Sequence, residues 1–281
     1  MASRTIAKIA TGISTSDGAG VKLKRVIGGP ISELDPFLLL DEFKSDKADD
    51  YIQGFPTHPH RGFETVTYML EGLMEHKDHK GNQGMLKPGS VQWMTAGKGI
   101  IHSEMPKQSN GLLHGFQLWV NLRKADKMIE PRYQDIPAKH IPEIPEEGGG
   151  KTRVIAGSYK GVTGPVQGIK TDPLYLDVKL APGSLFSENI PVGHNAFVYV
   201  FEGSGRFGPK NNSKEIKTSQ IGVLQVQGDK IDVISGEPNG VRFLLVAAAP
   251  INEPIARYGP FVMNTQQEIN QAFDDYRNGR F

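Results

Sequence analysis

Two short pairs of metal-ligating residue types lie within the stretch 54–106. The first pair is His58 and His60, in the sequence His-Pro-His, and the second is His102 and Glu104, in His-Ser-Glu. Side chains alternate between the faces of a β-strand, so residues two apart point the same way. Two such strands, lying side by side or facing each other inside a barrel, bring three imidazoles and one carboxylate to one point. Iron, copper, nickel and zinc all accept such ligands.

The clustering favours a metal site over unrelated surface histidines, because three of the chain's eight histidines fall in these two pairs. Glu64 is an alternative to Glu104, since an unbroken strand from His58 would aim it inward as well. It would then be either a ligand or an acceptor that fixes a histidine tautomer. Both roles stay open on the residues alone.

The other candidates near the site have simpler interpretations. His76 and His79 are three apart and are candidates for a further metal pair, but their polar stretch predicts a surface turn more simply. His114 stands beside an aromatic residue and is expected to pack or to support the site. Phe55 and Trp93 flank the ligand segments, where they are expected to fill the core and to set the polarity of a metal pocket. Two cations in the same region, at positions 61 and 98, are expected to be solvated or to orient an anionic substrate.

The scaffold that positions these residues is predicted to be all-β. The 33 glycines and 19 prolines are scattered between many short apolar segments, a pattern typical of a β-sandwich or barrel. Residues 37–40 are continuously apolar and indicate a strand buried on both faces, which Asp41 and Glu42 are expected to end. Near the end of the chain, Thr265 and Glu268 form a capping box that begins a helix. Its apolar face is expected to consist of Ile269, Ala272, Phe273 and Tyr276.

The strand pattern occurs twice, on either side of a Pro-, Glu- and Gly-rich segment. Residues 68–72 and 199–203 are weakly similar in sequence, but the second half lacks both ligand pairs. A duplicated barrel with one metal site explains this. The predicted organisation is an N-terminal metal-binding domain (1–137), a linker (138–152), a second domain without metal (153–263) and a C-terminal helix (264–281).

Composition excludes several classes of function. The net charge is +1 without a basic stripe, so no direct nucleic-acid binding is expected. The absence of cysteine rules out disulfides and thiolate ligands. The longest apolar run, residues 243–250, is too short to span a membrane, and the N-terminal segment does not look like a secretory signal. We therefore expect a cytoplasmic, monomeric protein.

Long contiguous motifs carry a resemblance to a known family. Residues 58–66 read HPHRGFETV, residues 92–97 read QWMTAG and residues 102–106 read HSEMP. With these motifs the chain closely resembles the pirin family of the cupin superfamily. Further matching blocks cover residues 35–39, 114–122 and 259–265, so the resemblance spans essentially the whole chain.

The resemblance implies two tandem cupin-type β-barrels (a bicupin) followed by the helix. It implies that His58, His60, His102 and Glu104 hold one divalent metal in the first barrel, and that Glu64 stays outside the ligand set. Iron, as Fe²⁺, is the metal usually assigned to the family, whereas the ligand types also accept copper, nickel, manganese or zinc.

Two functions follow from the resemblance. The first is a metal-dependent dioxygenase of the quercetin 2,3-dioxygenase type, which opens a small aromatic substrate such as a flavonol with O₂. In that reaction Glu104, the ligand with a free carboxylate oxygen, is expected to take the substrate's hydroxyl proton. The second is a redox-responsive, iron-binding co-regulator that binds a protein partner without turnover. A purely structural metal is a third hypothesis.

Overall fold

A computed structural model describes residues 2–281 as strands, turns and short 3-10 segments, followed by one α-helix. The expected all-β architecture with a C-terminal helix is confirmed. The strands of the first half are β1 (Ile6–Thr11), β2 (Ile13–Asp17), β3 (Val21–Ile27), β4 (Phe37–Ser45), β5 (Phe55–His60), β6 (Phe63–Glu71), β7 (Met74–Asp78), β8 (Gln83–Leu86), β9 (Val91–Thr95), β10 (Ile100–Pro106), β11 (Leu113–Asn121) and β12 (Arg132–Ile136).

The second half continues the β pattern up to the helix. Its elements are β13 (Glu143–Pro145), β14 (Lys151–Ala156), β15 (Ser158–Tyr159), β16 (Val162–Thr163), β17 (Leu174–Leu180), β18 (Leu185–Asn189), β19 (Asn195–Phe207), β20 (Lys214–Lys217), β21 (Gln220–Leu224), β22 (Lys230–Ser235), β23 (Val241–Ala248), β24 (Ala256–Tyr258), β25 (Phe261–Met263) and α1 (Gln266–Arg277).

The chain forms two compact units whose segments interleave along the sequence. The unit that contains the histidine pairs, called here the site unit, comprises residues 13–28, 32–138 and 251–281. The second unit comprises residues 2–12, 29–31 and 139–250. This division differs from the boundaries expected from chain order. Strand pairing decides it: β1 pairs with β21 of the second unit, and the last strands and helix pack within the site unit. The segment expected as a linker also contains β13, which pairs with β14.

The site unit is built from two antiparallel sheets around an apolar core. The larger sheet has the strand order β12-β9-β6-β11-β4-β3-β2, and the smaller has the order β5-β10-β7-β8. Met74 and Leu86 of the smaller sheet join Leu23, Phe43 and Met69 of the larger one in a single buried cluster. The core therefore lies between the sheets, and the histidine pairs stand on the smaller one.

Strand β4 is buried continuously from its first residue to Phe43, as the apolar run predicts. The expectation that Asp41 and Glu42 end the strand is wrong, because both carboxylates are buried within it. Arg25 donates two hydrogen bonds to Asp41, at 3.0 and 2.7 Å, and Glu42 lies 2.8 Å from a ring nitrogen of His114. Buried carboxylates are tolerated where such partners satisfy them.

A buried lysine forms hydrogen bonds both to the last strands and to the segment that follows β5. The Nζ of Lys127 donates to the carbonyls of Gly62 and Val262 at 2.8 and 3.0 Å, and to the side chain of Asn121 at 2.7 Å. Burial lowers the pKa of Lys127 to about 8, so it is mostly protonated at neutral pH. Gly62 has φ +87°, and a side chain there would collide with the carbonyl oxygen of Val262. This close approach makes glycine necessary.

The second unit has its own core and carries neither ligand pair. Its main sheet has the order β1-β21-β19-β23-β17-β14-β13, and its longest strand, β19, runs through the centre. Phe186, Val198, Phe207 and Phe243 are among the buried residues of one large apolar cluster.

Helix α1 begins with the predicted capping box. The amide of Glu268 donates to the Thr265 hydroxyl at 3.2 Å, and the amide of Thr265 donates to the Glu268 carboxylate at 2.9 Å. Ile269 and Ala272 are buried in a cluster with Phe261 of β25. The helix therefore stabilises the end of the site unit.

The helix is also tied to the site by an ion pair. Arg61 is buried, which contradicts its expected solvation, and its Nη1 donates to the Asp275 carboxylate at 2.7 Å. Burial alone would raise the pKa of Asp275, but hydrogen bonds from Arg61, Gln271 and Arg280 outweigh it and lower the pKa to about 2. A lowered carboxyl pKa stabilises the folded state at pH values above the ordinary pKa of an aspartate. This contribution is lost as the pH falls from about 4 to 2.

We expect Asp275→Asn to lower the free energy of unfolding at pH 7 by about 1–3 kcal/mol, because it leaves the buried Arg61 without its anionic partner. Urea unfolding measures the change. The difference in the free energy of unfolding between the wild type and the variant should decrease between pH 4 and pH 2. The exposed neighbour gives the control, since Asp274→Asn should change stability by less than about 0.5 kcal/mol. A gap that persists at pH 2, or none at pH 7, would contradict this account.

Candidate metal centre

The two ligand-bearing segments are neighbouring strands of the smaller sheet. Strand β5 pairs with β10 in antiparallel register, with His58 opposite His102 and His60 opposite Ile100. The spacing of two places both histidines of β5 on one face, and this register puts the ring of His102 beside them. The structure thus brings together the three predicted histidines.

The three imidazoles converge closely. Their ring centroids are 4.7 Å apart for His58 and His60, 4.5 Å for His58 and His102, and 5.0 Å for His60 and His102. One ring nitrogen of each lies within 4.8 Å of those of the others. The Nε2 atoms of His58 and His60 are 3.0 Å apart, while the Nδ1 of His58 lies 2.7 Å from the carbonyl of Pro56.

Burial keeps two of these rings neutral. It lowers the pKa of His60 well below its ordinary value, and the nearby His58 and His102 add to the effect. Burial also lowers the pKa of His102 to about 4, although the charge of Glu104 acts in the opposite direction. A metal ion binds the neutral imidazole. Both rings are therefore ready to act as ligands at neutral pH.

The unmet hydrogen-bonding capacity of His102 points to a metal ion. Neither of its ring nitrogens has a hydrogen-bond partner among residues 2–281, although the residue is buried. An unsatisfied buried polar group costs about 1–3 kcal/mol. A cation held among three neutral imidazoles would remove that cost, so the residues fit a divalent transition metal.

Glu104 is buried two residues beyond His102, and two donors hold its carboxylate. The Thr67 hydroxyl donates to Oε1 at 3.0 Å, and the Gln117 amide donates to Oε2 at 2.9 Å. The indole of Trp119 in turn donates to Gln117 at 3.3 Å. The close group of ring nitrogens does not include Glu104. Its role as the fourth ligand stays a prediction.

Glu64 does not continue the inward row that its even spacing suggested. The chain turns at Gly62, where φ is positive, so β5 ends at His60 and a new strand begins. Glu64 is buried there and accepts a hydrogen bond from the Thr95 hydroxyl at 2.6 Å, while burial raises its pKa. The assumption of an unbroken strand is therefore wrong.

The remaining candidates lie around the site in different environments. Trp93 is buried within β9 and does not line the cavity, whereas Phe55 does. His114 is paired with a glutamate of β4. His76 is buried on β7 opposite Glu104, with its ring stacked on that of Tyr133, so its expected place in a surface turn is wrong.

A cavity of about 600 Å³ reaches the ligand residues. His58 and His60 form part of its wall together with the aromatic side chains of Phe55 and Trp119. The side chain of Gln117 also reaches this wall. Cavities of this size and character typically bind small organic molecules. Its other charged residues, which sequence reasoning missed, are Asp17, Arg25, Asp41 and Arg257.

Comparison with known proteins identifies the family. A family model described as Pirin matches residues 20–120, and one described as the Pirin C-terminal cupin domain matches residues 175–281. A Pseudomonas aeruginosa protein named Putative quercetin 2,3-dioxygenase is 48% identical over 281 residues, covering 98% of this chain and 97% of the relative. The chain belongs to the pirin family. Human Pirin is 46% identical over 267 residues, covering 94% of this chain and 89% of that protein.

A solved structure agrees with this assignment. The crystal structure of a quercetin 2,3-dioxygenase from Acinetobacter baumannii matches with a TM-score of 0.90 at 35% identity, covering 99% of this chain and 98% of that one. The predicted pair of cupin domains is confirmed, as is the resemblance drawn from the motifs. No helix within residues 2–281 is long and apolar enough to cross a bilayer.

We expect His102→Ala to weaken the binding of a divalent metal by more than about 100-fold, because it removes one of three converging imidazoles. Competition with a chelating indicator dye measures the dissociation constant. His140→Ala removes an exposed histidine outside the group and should leave the constant unchanged. Equal affinity in the wild type and in His102→Ala would exclude the triad as the binding site.

We expect Gln117→Leu to weaken metal binding by about tenfold, because partners that orient a ligand typically contribute that much. The substitution removes the donor to Oε2 of Glu104 and leaves the histidines in place. Gln266→Leu, on the exposed side of α1, is the matched control. An unchanged affinity in Gln117→Leu would argue that Glu104 is not a ligand.

Proposed function

We propose that this pirin is a metal-dependent dioxygenase of the quercetin 2,3-dioxygenase type. It would open the central ring of a flavonol with O₂, place both oxygen atoms in the products and release carbon monoxide. One observation carries the proposal: two of the three converging imidazoles, His58 and His60, stand in the wall of an aromatic-lined cavity of about 600 Å³. The names of the Pseudomonas and Acinetobacter relatives support the same reaction class.

The residues that would hold the metal are His58, His60, His102 and Glu104. Fe²⁺ is the metal proposed, and the same ligand types also accept copper, nickel, manganese and zinc. When bound, the metal supplies a Lewis acid for the substrate's oxygens and a redox centre for oxygen chemistry.

The cavity's own side chains would bind and orient the substrate. Phe55 offers a flat apolar surface and Trp119 lines the same wall, and aromatic pairs gain about 0.5–1.5 kcal/mol beyond the burial of their area. The apolar residues Leu23, Leu39 and Phe43 line the same cavity and would exclude water from the bound ring. The flavonol would thus be held with its oxygens toward His58 and His60.

Glu104 would accept the proton of the flavonol's hydroxyl group. The hydrogen bonds from Thr67 and Gln117 hold its two carboxylate oxygens in fixed positions. Each carboxylate oxygen carries two lone pairs, so an acceptor site remains beside each of these bonds. Proton transfer of this kind contributes about 10²–10⁴-fold to a rate.

We expect anaerobically iron-loaded protein to release carbon monoxide from quercetin once oxygen is admitted, at a rate above that of free iron. His58→Ala should lower the rate by more than about 100-fold, since it removes a ligand that faces the cavity. Gas-phase measurement of carbon monoxide gives the result. His140→Ala should behave as the wild type. Turnover no faster than free iron, or equal in His58→Ala, would refute the catalytic proposal.

The competing hypothesis, a redox-responsive binding module, makes a different prediction for the same protein. It requires that oxidised and reduced protein capture different partners, with no carbon monoxide released. Identical partners in both states together with robust turnover would exclude it.

A further inference from the structure

We propose that the cavity selects an aromatic substrate that carries an ionised acidic substituent, and that Arg257 binds this group. The inference rests on the proposed function in one respect, that a flat aromatic molecule occupies the cavity. It adds a recognition residue far from the ligand motifs in sequence, and it restricts the class of substrate.

Arg257 differs from the other arginine of the cavity because no carboxylate of the described residues lies in direct contact with it. Arg25 donates to Asp41 at 3.0 and 2.7 Å and to Asp17 at 2.7 Å, so two carboxylates bind it directly. Among residues 2–281, Arg257 makes no ion pair, and its one hydrogen bond runs from Nη1 to the carbonyl of Leu38 at 3.1 Å. A guanidinium has five N–H donors, so four remain for a ligand.

The position of Arg257 is fixed relative to the metal ligands. Its guanidinium lies over the ring of Trp119, at 4.8 Å from the centroid, and the ring of Trp119 lies 5.3 Å from that of His60. Trp119 therefore lies near both of the other side chains, and the three are called here the His60–Trp119–Arg257 row. A substrate that lies along Trp119 with its oxygens near His60 would place its far end at the guanidinium.

The backbone that carries Arg257 is held beside the site. Arg257 stands on β24 and pairs with Val262 of β25. The amide of Val262 donates to the carbonyl of Arg61 at 3.1 Å, and Lys127 links the carbonyls of Gly62 and Val262. A surface arginine usually moves freely, but the ring of Trp119 and these bonds restrict this one. Such preorganisation lowers the entropic cost of binding an anion.

Local donors would decide the selection rather than the overall charge of the cavity. Its lining contains two arginines and two aspartates, so these charges cancel. Arg25 holds both aspartates through direct hydrogen bonds, whereas Arg257 contacts neither of them and keeps four N–H donors for a ligand. A carboxylate or sulfonate accepts two parallel bonds from a guanidinium, which a neutral phenol does not.

The test compares quercetin with quercetin-5′-sulfonate, an analogue with an ionised group on the pendant ring. Titration calorimetry under anaerobic conditions with metal-loaded protein gives both dissociation constants without turnover. We expect the wild type to bind the sulfonate about five- to tenfold more tightly, because charge-assisted hydrogen bonds are about twice as strong as neutral ones. The preference should diminish in high salt, which screens exposed charges.

The variants locate the effect. Arg257→Gln should bring the ratio of the two constants close to one, and Arg257→Lys should keep part of the preference because it keeps the charge. Arg277→Gln is the matched control, since Arg277 also lies over an aromatic ring but does not line the cavity. Circular dichroism checks that each variant folds, and the salt dependence in the wild type tests the proposal without any substitution.

Two results would overturn the inference: a wild-type preference for the neutral flavonol, or a preference for the sulfonate that Arg257→Gln leaves intact. These outcomes are separable from a failure of the proposed function. Absence of carbon monoxide together with an Arg257-dependent preference would refute the dioxygenase and keep the anion site. Turnover of quercetin without that preference would support the dioxygenase and refute the anion site.

Discussion

The register between β5 and β10 is the constraint on which the site depends. It sets His58 opposite His102 and so brings three imidazoles to one point. A slip of one residue would turn the side chains of one strand to the other face of the sheet and separate the group. The glycine after β5 belongs to the same constraint, since its positive φ ends the strand just beyond His60. The rest of the site unit holds these two strands in place.

The buried polar groups around the site divide into two kinds. Buried and half-buried carboxylates have donors within the protein: Arg25 for Asp41, Arg61 for Asp275, and Thr67 with Gln117 for Glu104. The ring of His102 has no hydrogen-bond partner in the described part of the chain, although it is as deeply buried. Because two other imidazoles stand beside it, the unsatisfied ring indicates a site for a cation rather than a defect of packing.

Local patterns were predictable from the sequence, and distant partners were not. The spacing of two in the histidine pairs and of three in the capping box appears within a few residues, and the structure contains both arrangements. Gln117 and Arg257 lie far from His60 along the chain, so only strand order and register bring them close. The interpretation of His76 failed for a related reason. Its strand, β7, is paired on both sides, with β8 and β10, although most of its residues are polar, a composition that predicts a surface turn.

The motifs revealed the two cupin domains, whereas chain order could not assign the terminal segments. Membership of a unit depends on which strands pair, and residues distant in sequence can supply those strands. Chain order placed Arg257 in the domain without metal, yet it stands on a strand of the site unit that lines the cavity.

This interleaving has a consequence for how the protein is made. A ribosome synthesises residues 139–250 before residues 251–281, so the strands that carry the histidines emerge long before Val262 and Asp275. Until then the carbonyl of Gly62 lacks its link to Val262, and Arg61 lacks its acidic partner. The nascent site unit must therefore wait for its final strands and helix, while the second unit can complete its sheet earlier. A chain that ends before residue 251 would still contain all segments of the second unit, but its site unit would lack the last strands and the helix.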